Sequence, residues 1–187
     1  MKELLSMEQK KSMSFTAKDI AVIGLMIALK VVLTRFLAIE TQFVRVSFTF
    51  IPTILLAIMY GPWVGAFSGA LADVAGFFLF PKGFPFSPGF TISAAVAPMI
   101  YGLILHRKPL TLRRIILACL AVTVIVNVGL NSLWLRILYD QAFWGMLPIR
   151  LFENIVTLPV EAGIIYWITG NKSIQRAMKG YPIKWIR

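Results

Sequence analysis

Six ionisable side chains interrupt the apolar stretches of this chain: Lys30, Arg35, Asp73, Arg136, Glu153 and Glu161. A charge inside an apolar span is costly, and it marks a functional candidate whose partner must be named. Polar residues also recur at helical spacing. Asn127, Asn131 and Trp134 fall on one stripe, and Arg150, Asn154 and Glu161 on a second, because residues three, four and seven apart share a helix face. Two such stripes on adjacent helices make a polar and aromatic pocket. An unpartnered buried carboxylate protonates, so Glu161 requires a donor from the protein or from a ligand.

A second chemical feature is the segment Phe80-Pro81-Lys82-Gly83-Phe84-Pro85-Phe86-Ser87-Pro88-Gly89-Phe90. Its prolines fix the backbone and its glycines allow close turns, so it is a shaped loop. Aromatic faces around one lysine suit a flat organic anion better than an inorganic ion. The plain alternative is that these rings anchor the chain at a bilayer interface.

The elements that must carry these residues are membrane helices. The chain of 187 residues is 58% hydrophobic and only 14% charged, with a mean hydropathy of +0.79, far from a soluble domain of this size. The expected fold is all-α, one domain over residues 1–187, with six transmembrane helices and structured outer loops. The spans are placed near Ala17–Leu37, Val46–Tyr60, Trp63–Phe80, Thr91–His106, Ile115–Tyr139 and Leu147–Thr169. Residues 1–15 form a polar N-terminal segment and residues 171–187 a basic tail. No cleavable signal is evident. With six spans, Lys2, Lys10, Lys11 and Lys18 share a side with Arg107, Lys108, Arg113, Arg114 and the basic tail. The positive-inside rule makes that side, and both termini, cytoplasmic. The net charge of +11 is therefore mostly topology. Nucleic-acid binding is a poor account of it, since the bases flank spans instead of forming one face.

Each residue has a structural alternative. Lys30 could pair with Asp73 or snorkel, and Arg35 and Arg136 lie near span ends where anchoring is expected. Asn127 fits an interhelical hydrogen bond. Gly24 and Ala28, like Ala17 and Ala21, form small-xxx-small pairs that permit close helix approach, within the bundle or to another protein; Gly65 and Gly69 read as buried. Cys119 is alone in an apolar run and reads as packing. The chain has no phosphate loop, no Gly-x-Ser-x-Gly elbow and no metal-spaced His/Cys/carboxylate cluster, with His106 its single histidine. No inverted repeat suggests a self-contained transporter. A small membrane protein with a pocket and no energy source needs a partner.

From about Thr16 to Thr169 the chain resembles the substrate-binding S components of energy-coupling factor (ECF) transporters, of the folate type. The resemblance is carried by Leu33-Thr34-Arg35-Phe36, Gly61-Pro62, Ala72-Asp73, Phe80-Pro81-Lys82-Gly83 and Pro88-Gly89-Phe90-Thr91. It continues in Leu130-Asn131-Ser132-Leu133-Trp134, Leu147-Pro148-Ile149-Arg150 to Asn154, and Pro159-Val160-Glu161. Two positions depart from it: Gly24 stands where an alanine is usual, and Glu153 where a basic or amide residue is expected.

The resemblance implies a vitamin-binding subunit and not an enzyme, without cofactor or metal. It implies a plasma-membrane location in a bacterium, high-affinity capture at the outer face, and docking on a membrane scaffold subunit coupled to two cytoplasmic ATPases. Gly24 and Ala28 would face that scaffold, and release would proceed by toppling within the membrane. Outer loops around Arg45 and Lys82 would gate the pocket. For folate, Asn131 and Asn154 could read the pterin edge, Trp134 or Phe90 could stack on the ring, and Glu161 could accept its N–H groups. Any of Arg35, Arg45, Lys82 or Arg150 could neutralise the glutamate tail. A different vitamin, riboflavin or thiamin, keeps the same architecture. A small membrane enzyme or channel built on Asp73, Glu153 and Glu161 is the third reading.

Overall fold

Thr16 starts the first helix through a capping box. Its hydroxyl accepts from the Asp19 backbone N–H at 3.3 Å, and its own N–H donates to Asp19 Oδ2 at 3.0 Å. The helix α1 then runs Ala17–Arg35. The structure is a computed structural model that describes residues 15–40, 45–81, 86–139, 143–183 and 185. Within these residues α1 is followed by two short antiparallel strands, β1 (Ile39–Glu40) and β2 (Arg45–Val46), with Ile39 opposite Val46 and Glu40 opposite Arg45. Helices α2 (Phe50–Tyr60), α3 (Pro62–Leu79) and α4 (Pro88–Leu105) follow. Next comes a continuous rod made of α5 (Leu112–Val122), a π-helical segment (Thr123–Leu130) and α6 (Asn131–Tyr139). The long α7 (Phe143–Gly170) and the short α8 (Lys172–Ala177) complete the order.

Among the described residues, four segments are long and apolar enough to cross a membrane: α3, α4, the rod over Leu112–Leu138, and α7 over Leu147–Gly170. Their outward faces are apolar. Trp63 and Phe67 of α3 are 72% and 71% exposed, a pattern fit for lipid and not for water. The expected span Val46–Tyr60 is shorter than the sequence suggests, because Val46 belongs to β2 and the helix begins at Phe50. Eleven residues of α2 rise only about 16 Å at 1.5 Å each. That length is tolerated because α2 is sheathed by protein: it packs on α1, α3 and α4 and buries Pro52 to Ile54 and Leu56 to Met59. The fold is all-helical as expected, with a pair of two-residue strands leading into α2.

The core lies at one end of the bundle, where Ile54 and Ile58 of α2 meet Tyr101, Leu105, Ile115 and Cys119. Cys119 is a buried packing residue. Gly61 turns α2 into α3 at φ 88°, a conformation that favours glycine. The His106 ring packs over it and its Nδ1 donates to the Ile58 carbonyl at 2.8 Å. α3 and α4 pack most extensively of all pairs. They come so close that a side chain at Gly69 would collide with the Ala94 carbonyl.

Candidate functional site

At the other end the helices separate around a cavity of about 630 Å³, within the size range of small-molecule sites. Every helix from α1 to α7 contributes to it. Lys30 and Arg35 come from α1. The Arg35 guanidinium lies across Gly76 of α3, where a side chain would crowd it. Asp73 of α3 also lines the cavity and accepts a 2.8 Å hydrogen bond from Thr91 Oγ1 of α4. Rings gather here too: Phe77 and Phe86 lie 5.0 Å apart between centroids, with Phe48, Phe50 and Phe90 on the same lining.

Both polar stripes reach the cavity. Asn127 and Asn131 line it from the rod, and Arg150, Asn154 and Glu161 line it from α7. The π-helical segment links the two walls, since Arg150 Nη2 donates to the Asn127 carbonyl at 3.0 Å. Such segments often occur at functional sites. Asn154 is buried and spends its Nδ2 on the Arg150 carbonyl at 2.7 Å. Asn131 Oδ1 is buried and finds no hydrogen-bond partner among the described residues, an acceptor that requires an explanation.

Glu161 is a charged group of the lining on the core side of the slot. It sits near Tyr101 and Cys119, at the edge of the core. Among the described residues no donor bonds its carboxylate and no cation pairs with it. Eleven residues separate it from Arg150 on α7, as eleven separate Tyr101 from Phe90 on α4. At 1.5 Å per residue the cavity therefore extends about 16 Å along the bundle. The arrangement is a slot with the Glu161 carboxylate at its floor, and with cations, aromatic rings and the further carboxylates Asp73 and Glu153 along its length.

Of the residues singled out from the sequence, Arg35, Phe90, Asn131, Arg150, Asn154 and Glu161 all line the slot. Trp134 does not. Its ring covers Gly89 of α4 and its Nε1 donates to Ser93 Oγ at 3.1 Å, so it stands behind the α4 wall. The backbone of Arg45 lies in β2, and Lys82 falls outside the described residues. Arg136 is exposed and away from the slot. Gly24 and Ala28 are both exposed on α1, and a Cβ on Gly24 would meet nothing within 4 Å, so the pair does no packing inside the bundle. Thr53 and the α4 face of Ser93, Ala97 and Tyr101 line the slot without having been anticipated. The spacing of Phe90, Ser93, Ala97 and Tyr101 was the available signal, since it traces one helical face.

Residues 18–169 match the family "ECF transporter, substrate-specific component". The chain belongs to this family. It is thus a multi-pass membrane component of a bacterial transporter, and its kind is not enzymatic. The folate transporter FolT of Clostridium novyi (strain NT) is 41% identical over 141 residues, 75% of this chain and 81% of the relative. The folate transporter FolT of Leuconostoc mesenteroides subsp. mesenteroides is 32% identical over 168 residues, 87% of this chain and 90% of the relative. A crystal structure of FolT bound with folic acid superimposes with a TM-score of 0.77 at 40% identity, covering 82% of this chain and 93% of that one. The fold of this substrate-specific component is FolT-like.

Proposed function

We propose that this chain captures folate in the slot and delivers it to an ATP-driven module. The observation that carries the reading is the Glu161 carboxylate at the floor, with no donor from the described protein residues. Folate is a flat pterin bearing N–H donors at one end and an anionic glutamate at the other. Its donor end suits the Glu161 floor and its anionic end suits Lys30, Arg35 and Arg150, which share the lining with the carboxylates of Asp73 and Glu153. Glu161 accepts from the pterin amino and ring N–H groups, and Asn131 Oδ1 accepts from a further pterin donor. Phe90 stacks on the ring system. Arg35 or Arg150 holds the glutamate, with Arg45 and Lys82 as gating candidates in the loops. The relatives named as folate transporters and the structure with folic acid support the same ligand.

The architecture that goes with this reading is one transmembrane unit of six crossings, with both termini in the cytoplasm. α1 and α2 supply the two crossings beyond the four long apolar segments. Basic residues at Lys18, Arg107, Arg113 and Lys172 support that orientation. The exposed Gly24 and Ala28 face offers close approach to a scaffold subunit coupled to two ATPases, on which the chain would topple to release its cargo.

Calorimetric titration of the detergent-solubilised protein with folate, riboflavin and thiamin tests the proposal. Submicromolar binding of folate alone is the expected result. Selective binding of another vitamin would reject the pterin assignments while keeping the capture role. Binding of none by folded protein would reject capture itself.

A further inference from the structure

At the end of the bundle opposite the slot, the chain that follows α7 folds back on the helices. Asn171 Oδ1 accepts from the Ser173 N–H at 2.9 Å, and Gln175 Nε2 donates to the Thr169 carbonyl at 2.9 Å, which fixes α8 against the last turn of α7. Beyond α8, Met178 is buried, and Ile183 and Trp185 pack on the core. Tyr181 is hydrogen-bonded to Tyr60 at 3.0 Å, with the two rings 5.3 Å apart, and Tyr60 also donates to Asp19 Oδ1 at 3.1 Å. Residues 171–183 and Trp185 are therefore a folded part of the base of the bundle.

This fold-back forms an open concavity of about 470 Å³ whose lining includes Lys172, Gln175, Arg176, Lys179, Tyr181 and Trp185. Three cations point at one space, and all three residues are exposed. No acid lines it among the described residues, and Asp19, linked to Tyr181 through Tyr60, is occupied by Thr16 and Tyr60. The position of the concavity selects its ligand. It opens two residues after the end of α7, a helix apolar enough to span the bilayer, so it lies at headgroup level. Basic clusters directly beyond a span attract anionic lipid, and Trp and Tyr favour the same depth.

We propose that the fold-back is a binding site for the phosphate headgroup of an anionic phospholipid. Lys172, Arg176 and Lys179 neutralise the phosphate, and Trp185 and Tyr181 present apolar edges to the glycerol and upper acyl region. The inference is independent of what the slot binds.

The test is binding of an acyl-labelled phosphatidylglycerol to the detergent-solubilised full chain, with phosphatidylcholine of the same tails as control. The expected result is selective binding of phosphatidylglycerol, weakened ~30-fold in the double variant Arg176→Gln/Lys179→Gln, from about 1 kcal/mol per basic residue near a lipid surface. The variant Lys18→Gln/Arg113→Gln removes two exposed charges from the same end of the bundle and should keep full affinity. Equal loss in both variants would show diffuse charge attraction and overturn the site. So would equal binding of the two lipids, or displacement of phosphatidylglycerol by millimolar inorganic phosphate, which would make this a free-anion site.

Discussion

Glu161→Gln isolates the interaction that defines the floor of the slot. The carboxylate faces the cavity with no donor or cation among the described residues, so the ligand supplies its partners. An amide keeps one acceptor oxygen and replaces the other with a donor aimed at the pterin amino group. The change loses one charge-assisted hydrogen bond, worth about 1.5–3 kcal/mol, which is roughly a 10- to 150-fold rise in Kd. The ligand-free protein responds in the opposite sense. Burying a neutral amide costs less than burying an unpaired carboxylate, so Tm without ligand should hold or rise. Calorimetric titration with folate, paired with thermal unfolding in the same detergent, reads both quantities. A Kd within twofold of the parent would refute the placement of the pterin at Glu161. A fall in ligand-free Tm would refute the claim that its carboxylate lacks a protein partner.

Arg150→Ala removes the hydrogen bond to the Asn127 carbonyl that ties α7 to the π-helical segment; folate affinity and Tm should both fall, by about 1–3 kcal/mol in stability. Gly69→Val forces side-chain atoms into the Ala94 carbonyl, and thermal unfolding should show a loss of about 1–3 kcal/mol from overpacking between α3 and α4. Gly24→Leu meets no atom of this chain. The isolated protein should keep its Tm and folate affinity, while co-purification with the scaffold subunit and uptake into cells should fail. Tyr60→Phe removes the hydroxyl's hydrogen bonds to Asp19 and Tyr181 and should cost about 1–2 kcal/mol of stability in thermal unfolding, with folate binding in calorimetry unchanged.

Much of the site was legible because the membrane makes polar residues conspicuous. Asn131, Arg150, Asn154 and Glu161 stood out against apolar helices, and helical spacing put them on two faces. Trp134 shared the first stripe, yet its ring turns to Gly89 and Ser93. A stripe fixes a helix face to within a broad angle, and which neighbour occupies that face is a matter of packing. The strand pair before α2 was hidden because two residues per strand give no periodicity to read. The π-helical segment was hidden for a related reason: its residues, Thr123 to Leu130, are ordinary for an apolar helix, and its bond to Arg150 of α7 is a tertiary contact.

The sequence by itself determined the membrane class, most helix positions and the identities of the charges that lipid cannot solvate. Those follow from local composition, since each residue's transfer cost belongs to that residue alone. Tertiary structure decided that α2 could be short, that Gly24 and Ala28 look outward, and that Tyr101 joins Glu161 at the floor of the slot. It also decided that the basic tail folds back onto Tyr60 and the core. These depend on which helices become neighbours, a property of the whole chain's packing that no single segment encodes.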